Sequence, residues 1–225
     1  MARILVIDDD PSLLRALRLA LRAGGHEVFT ATSGEQGILQ TAANAPDVVI
    51  LDLGLPDTDG IEVCRRVREW SEVPIVVLSA IGSDERKVSA LDGGADDYVT
   101  KPFSMAELEA RIRTALRHRA VPSEDGTPTA LGAGPIDLDL VHHEARVDGN
   151  PVSLTAKEFD VLAFLVRYAG RTCTQEMILS AVWGPGYKRE AQYLHAYVHR
   201  LRQKLDDTDG SLIRTVPGVG YTLAT

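Results

Sequence analysis

Five apolar runs of strand length, each followed by a helical pattern, restrict this chain more than any other feature. Ile4-Leu5-Val6-Ile7 ends at Asp8 and Asp9, Val48-Val49-Ile50-Leu51 at Asp52, Pro74-Ile75-Val76-Val77-Leu78 at Ser79, and Asp97-Tyr98-Val99-Thr100 at Lys101-Pro102. A shorter run lies at 27–31. Runs this continuous belong to strands buried on both faces, and a helix between successive strands forces a parallel sheet. Strands are expected near 3–8, 27–31, 47–52, 74–79 and 97–100, with helices near 11–23, 34–45, 60–69, 84–93 and 104–118. Asp10-Pro11 supplies an N-cap and first helical residue. Leu13, Leu14, Leu17 and Leu21 line one face of that helix, and Gly24-Gly25 stops it. Ser33 with Gln36, and Ser104 with Glu107, read as capping boxes.

In an open parallel sheet, ligands bind beyond the carboxyl ends of the strands, where strand order reverses. Asp8, Asp9, Asp52, Ser79 and Lys101 all stand at such ends. Each alone is ordinary loop surface; together they make a place for a divalent cation and a phosphoryl group. Mg²⁺ takes about six oxygen ligands and keeps several waters, so two carboxylates and a backbone carbonyl suffice. An aspartate that attacks phosphorus becomes an acyl phosphate, and catalysis of that step is mostly positioning and charge neutralisation. Lys101 is the neutralising point charge and Ser79 the hydroxyl donor. The Lys101-Pro102 bond has the minority cis state open to it, which would set the direction of the lysine. Asp10 is fully explained by capping.

The βα pattern breaks after Arg119. Residues 121–135, rich in Pro, Gly, Ser and Thr, read as a linker. Beyond it, Ile136-Asp137-Leu138-Asp139-Leu140 and Ala145-Arg146-Val147 alternate as short antiparallel strands with a turn at Asp148-Gly149-Asn150. Thr155 with Glu158 caps an apolar helix to Tyr168, and Thr174 opens a second to about Trp183. A third runs from about Arg189 to Leu205, ahead of two terminal runs joined at Pro217-Gly218-Val219-Gly220. Sheet, three helices and hairpin make an α+β winged helix-turn-helix. In the third helix Leu194, Val198, Leu201 and Leu205 form an apolar stripe, which leaves the polar residues expected outside. Lys188, Arg189, Tyr193, His195, Tyr197, Arg200, Arg202 and Lys204, with Arg214 on the hairpin, are the candidate DNA contacts. His195 and His199 stand i, i+4 without a third metal ligand.

The chain has 225 residues and a formal charge of −8, so it does not coat nucleic acid by bulk charge. Residues 1–120 carry 14 Lys+Arg against 19 Asp+Glu, and the remainder 10 against 13. Contact with nucleic acid must therefore come from the local patch 188–204. Cys64 and Cys173 lie far apart and are expected as buried reduced thiols. No run reaches the length of a membrane span, and Met1-Ala2-Arg3 leads straight into a strand without a signal peptide. A cytoplasmic protein with no membrane insertion is expected.

Residues 1 to about 120 resemble the flavodoxin-like (βα)5 receiver domain of two-component response regulators. The matching pieces are Ile7-Asp8-Asp9-Asp10, Leu51-Asp52-Leu53-Gly54-Leu55-Pro56 with Asp59-Gly60, Leu78-Ser79-Ala80, and Gly94-Ala95-Asp96-Asp97-Tyr98 with Lys101-Pro102-Phe103. The resemblance implies that a sensor histidine kinase phosphorylates Asp52. It assigns Mg²⁺ to Asp9, Asp52 and the Gly54 carbonyl, with Asp8 acting largely through water. It makes Ser79 and Lys101 the switch hydroxyl and lysine, and Tyr98 the aromatic that turns inward.

Residues 136–225 resemble the OmpR/PhoB effector through Leu154-Thr155-x-x-Glu158-Phe159, Val198-His199-Arg200-Leu201-Arg202-x-Lys204-Leu205 and Thr215-Val216-x-Gly218-x-Gly220-Tyr221. That family implies promoter binding, with the third helix in the major groove and the hairpin over the minor groove, and RNA polymerase contact at 184–188. It also implies homodimerisation on phosphorylation, pairing Lys87 with Glu107 and Asp97 with Arg111 across a two-fold axis. Pro217 stands where many members have a wing arginine, so that contact is expected to be weaker or carried by Arg214. Leu53-Gly54-Leu55-Pro56, Trp70-Ser71-x-Val73-Pro74 and Leu201-Arg202-Gln203-Lys204-Leu205 are similar to the family's potassium-transport regulators, which implies control of potassium-uptake genes. Two other readings compete. A phosphohydrolase turning over on Asp52 lacks the second aspartate of haloacid-dehalogenase-type enzymes, because Gly54 fills that position. A winged-helix adaptor for protein has no use for Arg200, Arg202 and Lys204.

Overall fold

A computed structural model describes residues 1–80, 84–116, 129–187 and 191–225. The chain forms two compact units, residues 1–119 and 120–225. In the first, strands β1 (Arg3–Ile7), β2 (Glu27–Ala31), β3 (Val48–Asp52), β4 (Ile75–Ala80) and β5 (Asp97–Lys101) alternate with helices α1 (Pro11–Ala23), α2 (Gly34–Asn44), α3 (Gly60–Arg68), α4 (Asp84–Asp92) and α5 (Met105–Leu116). The strands make one parallel sheet in the order β2-β1-β3-β4-β5.

One sheet face carries Ile4, Val6, Val48, Ile50, Val76, Leu78 and Val99 against Leu14, Leu17 and Leu21 of α1 and Leu108 and Ile112 of α5. Fully burying such a side chain stabilises the fold by about 1.5–3 kcal/mol. Helix starts follow local chemistry. Asp10 caps α1 by accepting from the Ser12 amide, and Ser33 caps α2 by accepting from Gln36. The expected box at α2 is displaced by one residue, since the Gln36 carboxamide accepts from the Thr32 amide at 2.8 Å. At α5 the Glu107 amide donates to Ser104 Oγ at 3.1 Å. Arg68, at the end of α3, is half-buried, pairs with the buried Asp96 at 2.5 Å and donates to the carbonyls of Gly94, Ser71 and Val73. It thereby fixes the loop that leads into β5.

The second unit begins with an antiparallel sheet, β6 (Ala130–Ala133), β7 (Ile136–Asp139), β8 (Glu144–Val147) and β9 (Asn150–Val152), in that order. The linker expected over 121–135 is thus too long. Residues 130–133 pair with β7, although Ala-Leu-Gly-Ala has no alternation strong enough to announce a strand. Helices α6 (Ala156–Arg167), α7 (Gln175–Val182) and α8 (Ala191–Lys204) follow, with a short 3-10 turn at Pro185–Tyr187. Thr155 and Glu158 form the reciprocal capping box of α6. Strand β10 (Cys173–Thr174) joins the terminal hairpin β11 (Ile213–Val216) and β12 (Gly220–Leu223) in a sheet ordered β10-β12-β11. A Cβ on Gly220 would lie 2.0 Å from the Cys173 carbonyl, so only glycine lets β12 pass so close to β10. Cys64 and Cys173 are buried thiols, as expected.

Candidate functional site

The order of the first sheet reverses between β1 and β3, and there the acidic residues meet. Asp8 follows β1 and is 0% exposed; Asp52 ends β3 and is buried. Lys101, at the end of β5, reaches across β4 to both. Its Nζ lies 2.7 Å from Asp8 Oδ2 and 2.6 Å from Asp52 Oδ1. The remaining oxygens are held by backbone, Asp8 Oδ1 by the Asp10 amide at 2.9 Å and Asp52 Oδ2 by the Gly54 amide at 2.6 Å. Burial opposes the charge on Lys101, but hydrogen bonds and attraction from Asp52 and Asp8 outweigh it and hold its pKa above the ordinary lysine value. The Lys101-Pro102 peptide is cis.

Ser79 is buried on β4, opposite Thr100 and one residue beyond the Leu78 that faces Asp52. Gly60 lets α3 start directly on the Asp52 backbone, where a Cβ would stand 2.6 Å from the Asp52 carbonyl. Asp57 in the same loop accepts from the amides of Gly34 at 2.9 Å and Glu35 at 3.0 Å, and these bonds lower its pKa. The loop after Asp52 is therefore tied to the start of α2. Sequence reasoning missed Asp57; its place just beyond Leu53-Gly54-Leu55-Pro56 was the available signal.

Asp9, next to Asp8 in the chain, is exposed. Among the described residues no three acidic, histidine or cysteine side chains gather as a ready-made metal site. Two buried carboxylates facing a single ammonium nevertheless leave an excess of negative charge with oxygen-only donors. That fits Mg²⁺, which is usually held by one or two carboxylates with water and phosphate.

Tyr98 is buried on β5, turned inward, with Lys87 Nζ 5.9 Å from its ring centroid. Asp97 is also buried and accepts from the Tyr98 amide at 2.7 Å. Arg111 stands between Asp97 at 3.9 Å and Glu107 at 3.7 Å within one chain. Asp97 and Arg111, expected to pair between subunits, thus already meet within one chain.

The second unit overturns part of the expected DNA face. Helix α8 packs on both α6 and α7, so it buries far more than one leucine stripe. Tyr193 and Tyr197 are buried in an aromatic cluster, their ring centroids 6.3 and 4.9 Å from that of Trp183. Arg200 is only 8% exposed, its guanidinium 4.2 Å from the Tyr197 ring centroid and 3.4 Å from Glu158 Oε1. Lys204 bonds Glu158 Oε2 at 2.8 Å. Glu158 is 1% exposed; burial pushes its pKa up, but Arg200 and Lys204 reverse that and leave it lowered. Arg202 turns to the hairpin, donating from Nε to the Ile213 carbonyl at 3.1 Å and from Nη2 to Thr215 Oγ1 at 2.9 Å.

Of the expected basic row, Arg200 is buried, while Arg202 and Lys204 are half-buried and bonded to the hairpin and to Glu158. His195, His199 and Gln203 are the exposed residues of the helix, and Arg214 is exposed on the hairpin. Lys188 and Arg189 lie outside the described residues. Lys157, buried beneath α7, donates to the Val182 carbonyl at 2.6 Å.

A parallel sheet with a buried Asp-Asp-Lys cluster, followed by a winged helix, defines a response regulator of transcription. Residues 4–113 match the response regulator receiver domain, and residues 149–223 match the C-terminal domain of transcriptional regulatory proteins. The chain belongs to the OmpR/PhoB family of response regulators. It is 42% identical to the KDP operon transcriptional regulatory protein KdpE of Escherichia coli, over 98% of each chain. It is 43% identical to the transcriptional regulatory protein KdpE of Mycobacterium tuberculosis, also over 98% of each. The sensory transduction protein RegX3 of Mycolicibacterium smegmatis is 38% identical over 99% of each chain. Among solved structures, the OmpR/PhoB homologue DrrB of Thermotoga maritima superposes with a TM-score of 0.52 at 31% identity, covering 100% of each chain. No helix among the described residues is long and apolar enough to cross a membrane.

Proposed function

We propose that this chain switches potassium-uptake genes in response to phosphorylation of Asp52 by a sensor histidine kinase of the KdpD type. The observation that carries the switch is the Lys101 ammonium held between Asp8 and Asp52 at 2.7 and 2.6 Å. A carboxylate oxygen of Asp52 attacks the phosphorus of a phosphohistidine, the P–N bond breaks, and the leaving imidazole takes up a proton. Asp9, Asp52 and the Gly54 carbonyl, with Asp8 through water, would hold Mg²⁺, which supplies charge neutralisation at the phosphoryl oxygens. Lys101 and Ser79 bind those oxygens, and Tyr98 stays inward when Ser79 is drawn to them. The α4–β5–α5 face, with Lys87, Asp97, Glu107 and Arg111, pairs two copies. The effectors then meet paired half-sites on promoter DNA, and residues 184–188 face RNA polymerase.

The potassium assignment rests on whole-chain similarity to the two KdpE regulators. The RegX3 similarity supports a second reading, the same switch on other genes. Fluorescence anisotropy of the full chain on its own upstream promoter DNA, with and without a small phosphodonor and Mg²⁺, tests the switch. Affinity should rise on phosphorylation and not in Asp52→Ala. Transcript profiling of an Asp52→Ala strain under potassium limitation separates the two regulons.

A further inference from the structure

On α8 the exposed residues are His195, His199 and Gln203, while Arg200 is buried and Arg202 is bonded to the hairpin. His195 is exposed, and its Nδ1 lies 2.7 Å from the hydroxyl of Tyr221 on β12. Tyr221 itself is buried, and its ring stands edge-on to the imidazole, with centroids 6.2 Å apart. His199 differs: its Nε2 meets the Gln203 carboxamide 3.1 Å away, on the same helix. His195 is thus the exposed imidazole whose orientation is set from outside its own helix, by the hairpin.

We propose that His195 is a specificity-determining residue for DNA, held by Tyr221 as the tautomer whose Nε2–H donates to a base acceptor in the major groove. This rests on the DNA-binding reading of the winged helix. The bond between the two rings has one donor and one acceptor, and the assignment follows from their chemistry. A phenol is the stronger donor and an imidazole nitrogen the stronger base, so the hydroxyl donates to Nδ1. Burial pushes the Tyr221 phenol up, Arg202 nearby pulling the other way, which keeps the donor proton in place. Nδ1 is the ring nitrogen nearer the backbone; once it is an acceptor, the proton sits on Nε2 at the tip. An outward N–H fits acceptors on a base edge, purine N7, guanine O6 or thymine O4, and not the amino groups of adenine or cytosine. Tyr221 is then a positioning residue, acting through the histidine.

The test uses the full chain and a random-sequence duplex pool, selected in parallel by the unaltered protein, His195→Ala and Tyr221→Phe. The unaltered protein should enrich a motif with an acceptor-bearing base at one position per half-site, and His195→Ala should lose that position alone. Tyr221→Phe should weaken preference there about 3- to 10-fold, while affinity for unselected DNA and its salt dependence stay unchanged. Replacing a purine at that position by its 7-deaza analogue should weaken the unaltered protein and leave His195→Ala indifferent wherever N7 is the acceptor. Nitrogen-15 NMR of the imidazoles should show the proton of His195 on Nε2. Enrichment of the same motif by His195→Ala, or a proton on Nδ1, overturns the proposal while the DNA-binding reading stands. A pool from which the unaltered protein enriches nothing overturns both.

Discussion

The molecule contains two buried clusters of carboxylate and cation whose charge balance is opposite. In the receiver, Asp8 and Asp52 share one Lys101; in the effector, Arg200 and Lys204 share one Glu158. The first lies at the carboxyl ends of strands, where the backbone stops and a ligand can enter. The second lies between helices α6 and α8 and also closes the capping box of α6. An excess of negative charge at an open sheet edge is a site for a cation and a phosphoryl group. An excess of positive charge around Glu158, itself buried, fastens two helices together. The place of a cluster in the fold, more than its composition, decides whether it acts on something outside.

The sharpest way to break this contrast is to remove the acceptor. Asp52→Ala should abolish Mg²⁺-dependent labelling by a small phosphodonor with little loss of stability, since the variant leaves Lys101 its bond to Asp8. Stoichiometric acid-labile label surviving in that variant would sink the assignment.

Glu158→Gln should do the reverse. It should leave labelling of Asp52 intact and destabilise the effector unit by about 3–5 kcal/mol, the usual cost of stranding a buried cation. Denaturant unfolding of the full chain, followed by the fluorescence of Trp183, reads this.

Arg202→Ala is expected to have a smaller effect, about 1.5–3 kcal/mol for losing charged hydrogen bonds to the hairpin. The salt slope of DNA binding should change by much less than the roughly 0.9 unit of one phosphate contact. A full unit of change would return Arg202 to the DNA.

Acid should separate the clusters further. The Glu158 pKa is lowered in the folded state, so its contribution is present above the unfolded value of 4.5. It is lost as pH falls through the lower folded value. Lys101 is raised, so its contribution is complete below 10.5 and is lost only as pH climbs past its folded pKa. Glu158→Gln should therefore flatten the acid limb of effector unfolding and leave the alkaline limb alone.

The mildest effect is at the β7–β8 turn. The side-chain bond from His142, with backbone bonds from His142 and Val141, holds Asp139 at a pKa of about 2. The same contact raises His142. Asp139→Asn should bring the His142 titration down toward its ordinary value in NMR, with the fold unchanged.

The receiver was readable because β1, β3 and β4 are continuous apolar runs and its charged site residues stand where strands end. Asp8, Asp52 and Lys101 come together as that rule requires. Short strands escaped notice: β10 has two residues, and β9 contains Pro151, so neither carries a period. The inward turn of Arg200 was hidden for another reason. Its partner is 42 positions away in the chain, and Glu158 was already accounted for by its cap. A clue was present: Glu158 sits among Phe159, Val161, Leu162 and Leu165, where an acid needs a cation from another helix. Tyr193 and Tyr197 misled because amphipathic aromatics suit a wet interface and a packed core equally well.

The bonds from Arg202 to Ile213 and Thr215 bear on how such proteins diversify. Because helix and hairpin are fastened to each other, neither is an interchangeable part. A transplant of α8 alone into a related effector would still meet a backbone carbonyl at the position of Ile213 but would lose the hydroxyl wherever the residue at 215 has none. The smallest unit that can be exchanged to retarget promoter choice runs from α8 through β12. Recombination or design that respects this span should retain binding geometry, whereas cuts between residues 204 and 213 should yield folded helices with a misplaced wing.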